Sequence, residues 1–233
     1  MRIVDRQLIA DIAEWDCINW GRAIQFWDNS HLVEFSDMVG KKVLDIGGRN
    51  GGLSLYWALK GAEVDCTDLN IEGFDKAKKL HKEYNVDNLI TYKQLDVLDL
   101  CNENIYDVIT FKSVMGGVGY NDNYANQVKM IRNIYRALKP RGCCIFAENL
   151  TGSKLHMWLR QKCRPWGNSW RYVTISEIKD LFAEFSDIDI NSYGFLGILG
   201  QGKFFDICSR LDRIFDPFMP ENCKYIVSCV ARK

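Results

Sequence analysis

The chain lacks an excess of charge of either sign, with 30 lysines and arginines against 30 aspartates and glutamates. With no basic tail or stripe either, it offers no electrostatic footprint for a polyanion, so a small molecule is expected as partner and nucleic acid is not. Also missing is any run of eighteen apolar residues, and no apolar core of signal length follows Met1-Arg-Ile-Val-Asp-Arg. No membrane partner is expected on that ground, and the expected address is cytoplasmic. Nine cysteines scatter from Cys17 to Cys229 without a C-x-x-C pair, which argues against a disulfide framework or zinc site and for reduced, buried thiols. Histidine is scarce, at three. Internal repeats, low-complexity tracts and flexible linkers are absent.

What is present is an ordinary globular balance, 47% apolar and 26% charged over 233 residues, enough for one domain with a sizeable core. From residue 42 onward short β-branched or apolar runs alternate with segments of helical period, the pattern of a parallel sheet covered by helices. Strands are predicted at Lys42–Ile46, Ala62–Thr67, Leu89–Gln94, Tyr106–Phe111 and Gly142–Glu148, with two later ones at Ile188–Tyr193 and Tyr225–Ala231. The clearest crossover helix runs from Asp122 to Leu138, where Val128, Ile131, Ile134, Tyr135 and Leu138 recur at helical steps before Lys139-Pro140-Arg141-Gly142 stops them. Residues 1–40 have helical period and carry Trp15, Trp20, Phe26 and Trp27, an aromatic cap packed on the sheet. One domain, 1–233, is expected, with 41–150 its ligand-binding half and 151–233 its acceptor-side half.

The most informative stretch is Val43-Leu44-Asp45-Ile46-Gly47-Gly48-Arg49-Asn50-Gly51-Gly52, in which a buried strand feeds a glycine loop that opens a helix. Missing Cβ atoms let such a loop bring its backbone against a ligand. The second strand ends in Thr67-Asp68-Leu69, which puts a carboxylate where an acid accepts from both hydroxyls of a ribose. Asp96, after the third strand, is placed to accept from an adenine amino group. A dinucleotide-binding dehydrogenase shares the loop and the first acid, but Arg49 stands where its second glycine must admit a pyrophosphate, and Asp45 would repel that group.

Together these residues resemble the class I S-adenosylmethionine-dependent methyltransferases. The resemblance implies a Rossmann-like α/β fold: a seven-stranded, mostly parallel sheet with helices on both faces and an antiparallel last strand. S-adenosyl-L-methionine is the cofactor it implies, held through Asp45 and the backbone of Gly47, Gly48 and Gly51 at the methionine part, Asp68 at the ribose, Leu69 on an adenine face, and Asp96 and Val97 at the adenine edge. Lys112, ending the fourth strand, would offer its carbonyl to the cofactor's amino group. Arg49 departs from the glycine pattern and either points to solvent or reaches over the cofactor carboxylate.

For the acceptor, the Asn/Asp-Pro-Pro-aromatic segment of base amine methyltransferases is absent after the fourth strand. Glu148-Asn149 resembles the acid-Asn pair of metal-dependent catechol-type O-methyltransferases, yet Lys112 replaces their aspartate, so no metal is expected. His156 is the candidate general base, with Glu148 the second candidate catalytic group. Trp20, Arg164, Trp166, Trp170, Arg171 and Tyr172 are the candidate acceptor contacts, the last five in a possible lid rich in rings and guanidinium groups. Size and inserted segments resemble enzymes acting on small molecules, with a lean toward O-methylation of a sugar or glycan precursor; the alternatives are an RNA or protein methyltransferase, or a catalytically silent cofactor-binding protein of the same fold.

Overall fold

Which strands share a core follows from residue alternation. In β1 (Lys42–Ile46), Val43 joins the apolar cluster on one face while Leu44 and Ile46 join that on the other. The same alternation recurs in β4 (Tyr106–Lys112), β5 (Leu138–Asn149) and β7 (Ile226–Arg232), so the sheet centre is buried on both sides. The remaining strands are β2 (Glu63–Asp68), β3 (Ile90–Gln94) and β6 (Asp187–Tyr193). The computed structural model describes residues 6–33, 38–163, 169–199 and 203–233.

The sheet order is β3-β2-β1-β4-β5-β7-β6, parallel throughout except that β7 runs antiparallel between β5 and β6. That is the Rossmann-like architecture expected. Strand bounds agree within a residue or two except at β5, which starts at Leu138 instead of Gly142. Its early residues pair Leu138 with Tyr106, and a register shift follows before Cys143 meets Val108. Stopping the helix and starting the strand thus fall on adjacent residues.

Nine helices flank the sheet among the described residues: α1 (Arg6–Ala13), α2 (Cys17–Asn29), α3 (Gly52–Ala58), α4 (Phe74–Glu83), α5 (Met115–Val118), α6 (Tyr124–Ala137), α7 (Lys154–Cys163), α8 (Ile175–Leu181) and α9 (Lys203–Phe215). None is long and apolar enough to cross a membrane. On one face α1 and α2 bury Ile12, Trp20 and Trp27 in the same cluster as β1 and β7. On the other, Phe111, Phe146 and Phe182 stack at centroid spacings of 4.7 and 4.9 Å, tying β4, β5 and the end of α8 together. The carboxyl ends of β1, β2, β3 and β4 therefore open on one edge, roofed by the N-terminal helices.

Candidate active site

At the end of β1 the chain turns through three residues of positive φ, Gly47 at 72°, Arg49 at 43° and Gly51 at 88°. A Cβ on Gly47 would also sit 2.5 Å from a methyl of Val114, so no larger residue fits that turn. Asp45 lies beneath the loop, 1% exposed. One carboxyl oxygen accepts from the Ser54 hydroxyl at 2.6 Å, the other has no partner among the described residues, and burial pushes the group up to about 7. Asp45 is therefore not on the cavity wall, and its expected contact with the cofactor is corrected to support of the loop from below. Gly48 and Gly51 also stand behind the wall. The Gly48 amide donates to the Thr67 carbonyl at 2.8 Å, and the Gly51 carbonyl accepts from His81 Nε2 at 2.9 Å.

The wall proper is formed by Gly47, Asp68, Leu69, Asp96, Val97 and Lys112, which border one cavity of about 1680 Å³. This exceeds the few hundred to about 1,000 Å³ that one small ligand needs and leaves room for a second molecule. Asp68 accepts from the Arg49 amide at 3.0 Å and the Asn70 amide at 2.8 Å, one on each oxygen, so both oxygens keep capacity for a ribose diol. Leu69, 64% exposed, offers an uncovered apolar side chain beside it. Asp96 accepts from the Leu98 amide at 2.9 Å. These groups fit S-adenosylmethionine: a diol acceptor, an apolar face and an adenine edge in sequence along one wall.

Arg49, an exposed residue, turns toward the N-terminal segment. Its guanidinium lies 5.4 Å from the Trp15 ring, and the Lys112 ammonium covers the same indole at 3.5 Å while donating to the Ala13 carbonyl. Burial lowers Lys112 to about 8. The side chain of Lys112 thus ties β4 to the N-terminal segment, a role that its position at a strand end did not signal.

The acceptor side holds Trp20, Trp170 and Tyr172 on the wall, with Trp15, Asp16, Asn149, Arg160 and Tyr225. Arg164 and Trp166 fall outside the described residues. Arg171 is corrected: its guanidinium pairs with Glu177 and Asp122, donates to Gln127 at 2.8 Å and stacks on Tyr124, so it fastens a loop to α6 and α8 and is not on the wall.

Both candidate catalytic groups are also corrected. His156 is fully buried and off the cavity wall. Its Nδ1 accepts from the Ser153 amide at 3.1 Å, and Nε2 lies 2.9 Å from the Phe195 carbonyl, which fixes the proton on Nε2. With both ring nitrogens engaged, and burial lowering its pKa, it has no free lone pair for a substrate proton. Glu148 accepts from the amides of Val114, Met115 and Asn149 at 2.7–2.8 Å, so it clamps the turn after β4; burial outweighs those donors and raises it to about 7. Among the described residues no group of three or more His, Cys, Asp or Glu gathers to hold a metal.

Sequence reasoning missed Asp16, which caps α2 from a left-handed conformation at φ 42°. Its carboxylate accepts from the Tyr225 hydroxyl at 2.6 Å, the Ser209 hydroxyl at 3.0 Å and the Asn19 amide at 3.3 Å. Burial raises it to about 6. The only available signal was an aspartate ahead of a helical run, which reads as a cap. Also unforeseen was Arg160. It donates to the carbonyls of Leu150 at 2.5 Å and Thr151 at 3.2 Å, covers the Tyr172 ring at 4.1 Å, and leaves Nη2 without a partner among the described residues.

Carboxylates at successive strand ends, bordering one cavity on the carboxyl edge of a Rossmann-like sheet, define a class of enzyme that binds a nucleoside cofactor there. A family model described as a methyltransferase domain matches residues 44–144. The ubiquinone biosynthesis O-methyltransferase of Pseudomonas savastanoi pv. phaseolicola is 30% identical over 171 residues, 68% of this chain and 69% of that protein. That of Psychrobacter cryohalolentis is 26% identical over 166 residues, covering 66% of this chain and 62% of its own length. Among solved structures, Haemonchus contortus phosphoethanolamine N-methyltransferase 2, with phosphomonomethylethanolamine and S-adenosylhomocysteine, aligns with a TM-score of 0.64 at 19% identity, over 92% of this chain and 52% of that one. The [4+2]-cyclase SpnF aligns with a TM-score of 0.55 at 14% identity, over 98% and 79% of the two chains. The chain belongs to the class I S-adenosylmethionine-dependent methyltransferases, and S-adenosylmethionine is its cofactor.

Proposed function

We propose that the protein methylates a hydroxyl of a small acceptor, with Asp16 as general base. The observation that carries this reading is a single cavity bordered at one end by Asp68 and at the other by the hydrogen-bonded pair Asp16 and Tyr225. When bound, S-adenosylmethionine supplies an electrophilic methyl on a sulfonium. The residues of the chain have to aim an oxygen at that carbon and remove its proton.

Rings of Trp15, Trp20, Trp170 and Tyr172 give the acceptor compartment flat apolar walls suited to orienting a ring. Asp16 accepts from Tyr225, Ser209 and Asn19 and also borders the cavity, where an acceptor O–H can approach it. Those donors fix its orientation, and a pKa near 6 suits a base working at neutral pH. Tyr225, whose own pKa burial and Asp16 hold well above its ordinary value, stays a donor. The Arg160 guanidinium borders the same compartment, and its positive charge suits an acceptor that also carries an acidic substituent.

The relatives named above are O-methyltransferases, which supports a hydroxyl acceptor; the lean toward a sugar finds no support in them. Calorimetry with S-adenosylhomocysteine, followed by methyl transfer to a panel of hydroxylated aromatic acids and sugars, tests the reading. The expected result is cofactor binding with the methyl on oxygen of an aromatic acid. Transfer to nitrogen, or only to sugars, would overturn the acceptor assignment.

A further inference from the structure

Helix α9 turns polar side chains inward: Asp212 accepts from the amides of Phe195, Leu196 and Gly197 at 2.6–3.0 Å and from Asn19, while Ser209 donates to Asp16. Most of its large apolar residues face out. Phe204, Ile207, Leu211 and Ile214 recur at steps of three and four on one stripe, Phe215 lies beside them, and Phe218 continues the exposed set beyond the helix. Ile214 is 62% and Phe218 78% exposed. Helix α7, whose His156 holds the same 195–197 loop through the Phe195 carbonyl, adds exposed Leu155 and Trp158. Among the described residues nothing covers these side chains, and so many large apolar groups on two helices exceed what a monomer in water leaves open.

The charges around them choose the occupant. Lys154 and Lys162 on α7 and Arg210 and Arg213 on α9 are exposed, against Asp206 as the one exposed acid on these two helices and Glu221 beyond Phe218. A second copy packed here about a two-fold axis would set Arg210 and Arg213 close to their own equivalents, a like-charge contact that disfavours self-pairing. An anionic lipid surface complements both features: apolar side chains enter the headgroup boundary, Trp158 suits its polar-apolar transition, and the cations meet phosphate.

We infer that the outward face of α9, flanked by Leu155 and Trp158, docks the protein peripherally on an anionic bilayer. Among the described residues no helix is long and apolar enough to cross the membrane, and the face is separate from the cavity wall. The same two helices do border the cavity, through Leu159 and Phe205. Docking therefore brings the acceptor compartment near the lipid surface.

The test is co-sedimentation with phosphatidylcholine vesicles and with vesicles holding about one third phosphatidylglycerol. Wild type is expected to pellet with the anionic vesicles. The Ile207→Gln/Ile214→Gln variant is expected to bind them at least about tenfold more weakly, and Arg210→Gln/Arg213→Gln to lose the preference for anionic lipid. S-adenosylhomocysteine binding and circular dichroism confirm that each variant is folded. Wild type left in the supernatant with anionic vesicles at low salt, or an isoleucine variant that pellets like wild type, would overturn the inference. So would a wild-type dimer that ignores vesicles and that the isoleucine variant dissociates, which assigns the face to a second copy.

Discussion

The two ends of the cavity are assembled on different scales. At the cofactor end each wall residue follows a strand directly: Gly47 after β1, Asp68 closing β2, Asp96 just beyond β3. Short chain segments and a parallel sheet deliver them to one edge, and their spacing repeats the strand spacing. At the acceptor end Asp16 and Tyr225 are 209 residues apart and meet only because α2 packs on β7, while Arg160 comes from a helix that follows β5. A binding end inherited from topology tolerates change elsewhere in the chain. The acceptor end depends on how the outer helices pack, and this is where specificity can vary within one fold.

The largest expected effect breaks the acceptor end alone. Asp16→Asn should lower kcat by roughly a hundredfold or more, the scale of losing a general base, with S-adenosylhomocysteine affinity unchanged by calorimetry. The folded pKa of Asp16 is raised to about 6, so the working carboxylate forms as pH rises through 6 and wild-type activity should climb there. The variant should lack that limb; a profile that keeps it would remove Asp16 as the base. At the cofactor end, Asp68→Ala should weaken S-adenosylhomocysteine by about 1.5–3 kcal/mol, roughly 10- to 150-fold, while the protein stays folded. An unchanged dissociation constant would take Asp68 out of the site.

His156→Ala sharpens the comparison differently, because it lies behind the wall. Its cost should be to stability, about 1–3 kcal/mol by denaturant titration, with little change in kcat of the folded enzyme. Burial lowers the pKa of His156, so the neutral ring contributes fully above its ordinary value of 6.5 and the contribution fades as pH falls through the lowered one. The gap in stability between wild type and variant should narrow accordingly toward acid pH. A fall in kcat at unchanged stability would restore it as a catalytic group. The smallest effect is none: exhaustive chelation should leave activity intact, since Lys112 occupies the strand end and Glu148 is committed to three amides. Loss of activity that magnesium restores would contradict this.

These differences explain what the sequence made legible. Strand positions, the sheet class, the loop and the placing of Asp68 and Asp96 at strand ends could be read because each depends on residues within one short window. Asp45 stands in β1 beneath the loop and does not border the cavity, since spacing does not say which side of a turn a carboxyl takes. His156 and Glu148 follow β5 closely enough to suggest catalysis, but only the tertiary structure shows their polar atoms spent on backbone groups of Ser153, Phe195, Val114 and Met115. Asp16, the proposed base, shows the converse, a residue with a bland local reading whose partners lie far along the chain.

Asp16 also occupies a left-handed backbone position between α1 and α2, a conformation that aspartate, asparagine and glycine enter at low cost and β-branched residues do not. With Asp16 as the proposed base, one position would then carry two demands, the turn and the carboxylate. On that reading asparagine would keep the turn while silencing the chemistry, so an inactive descendant of this protein could arise in a single step without losing its fold.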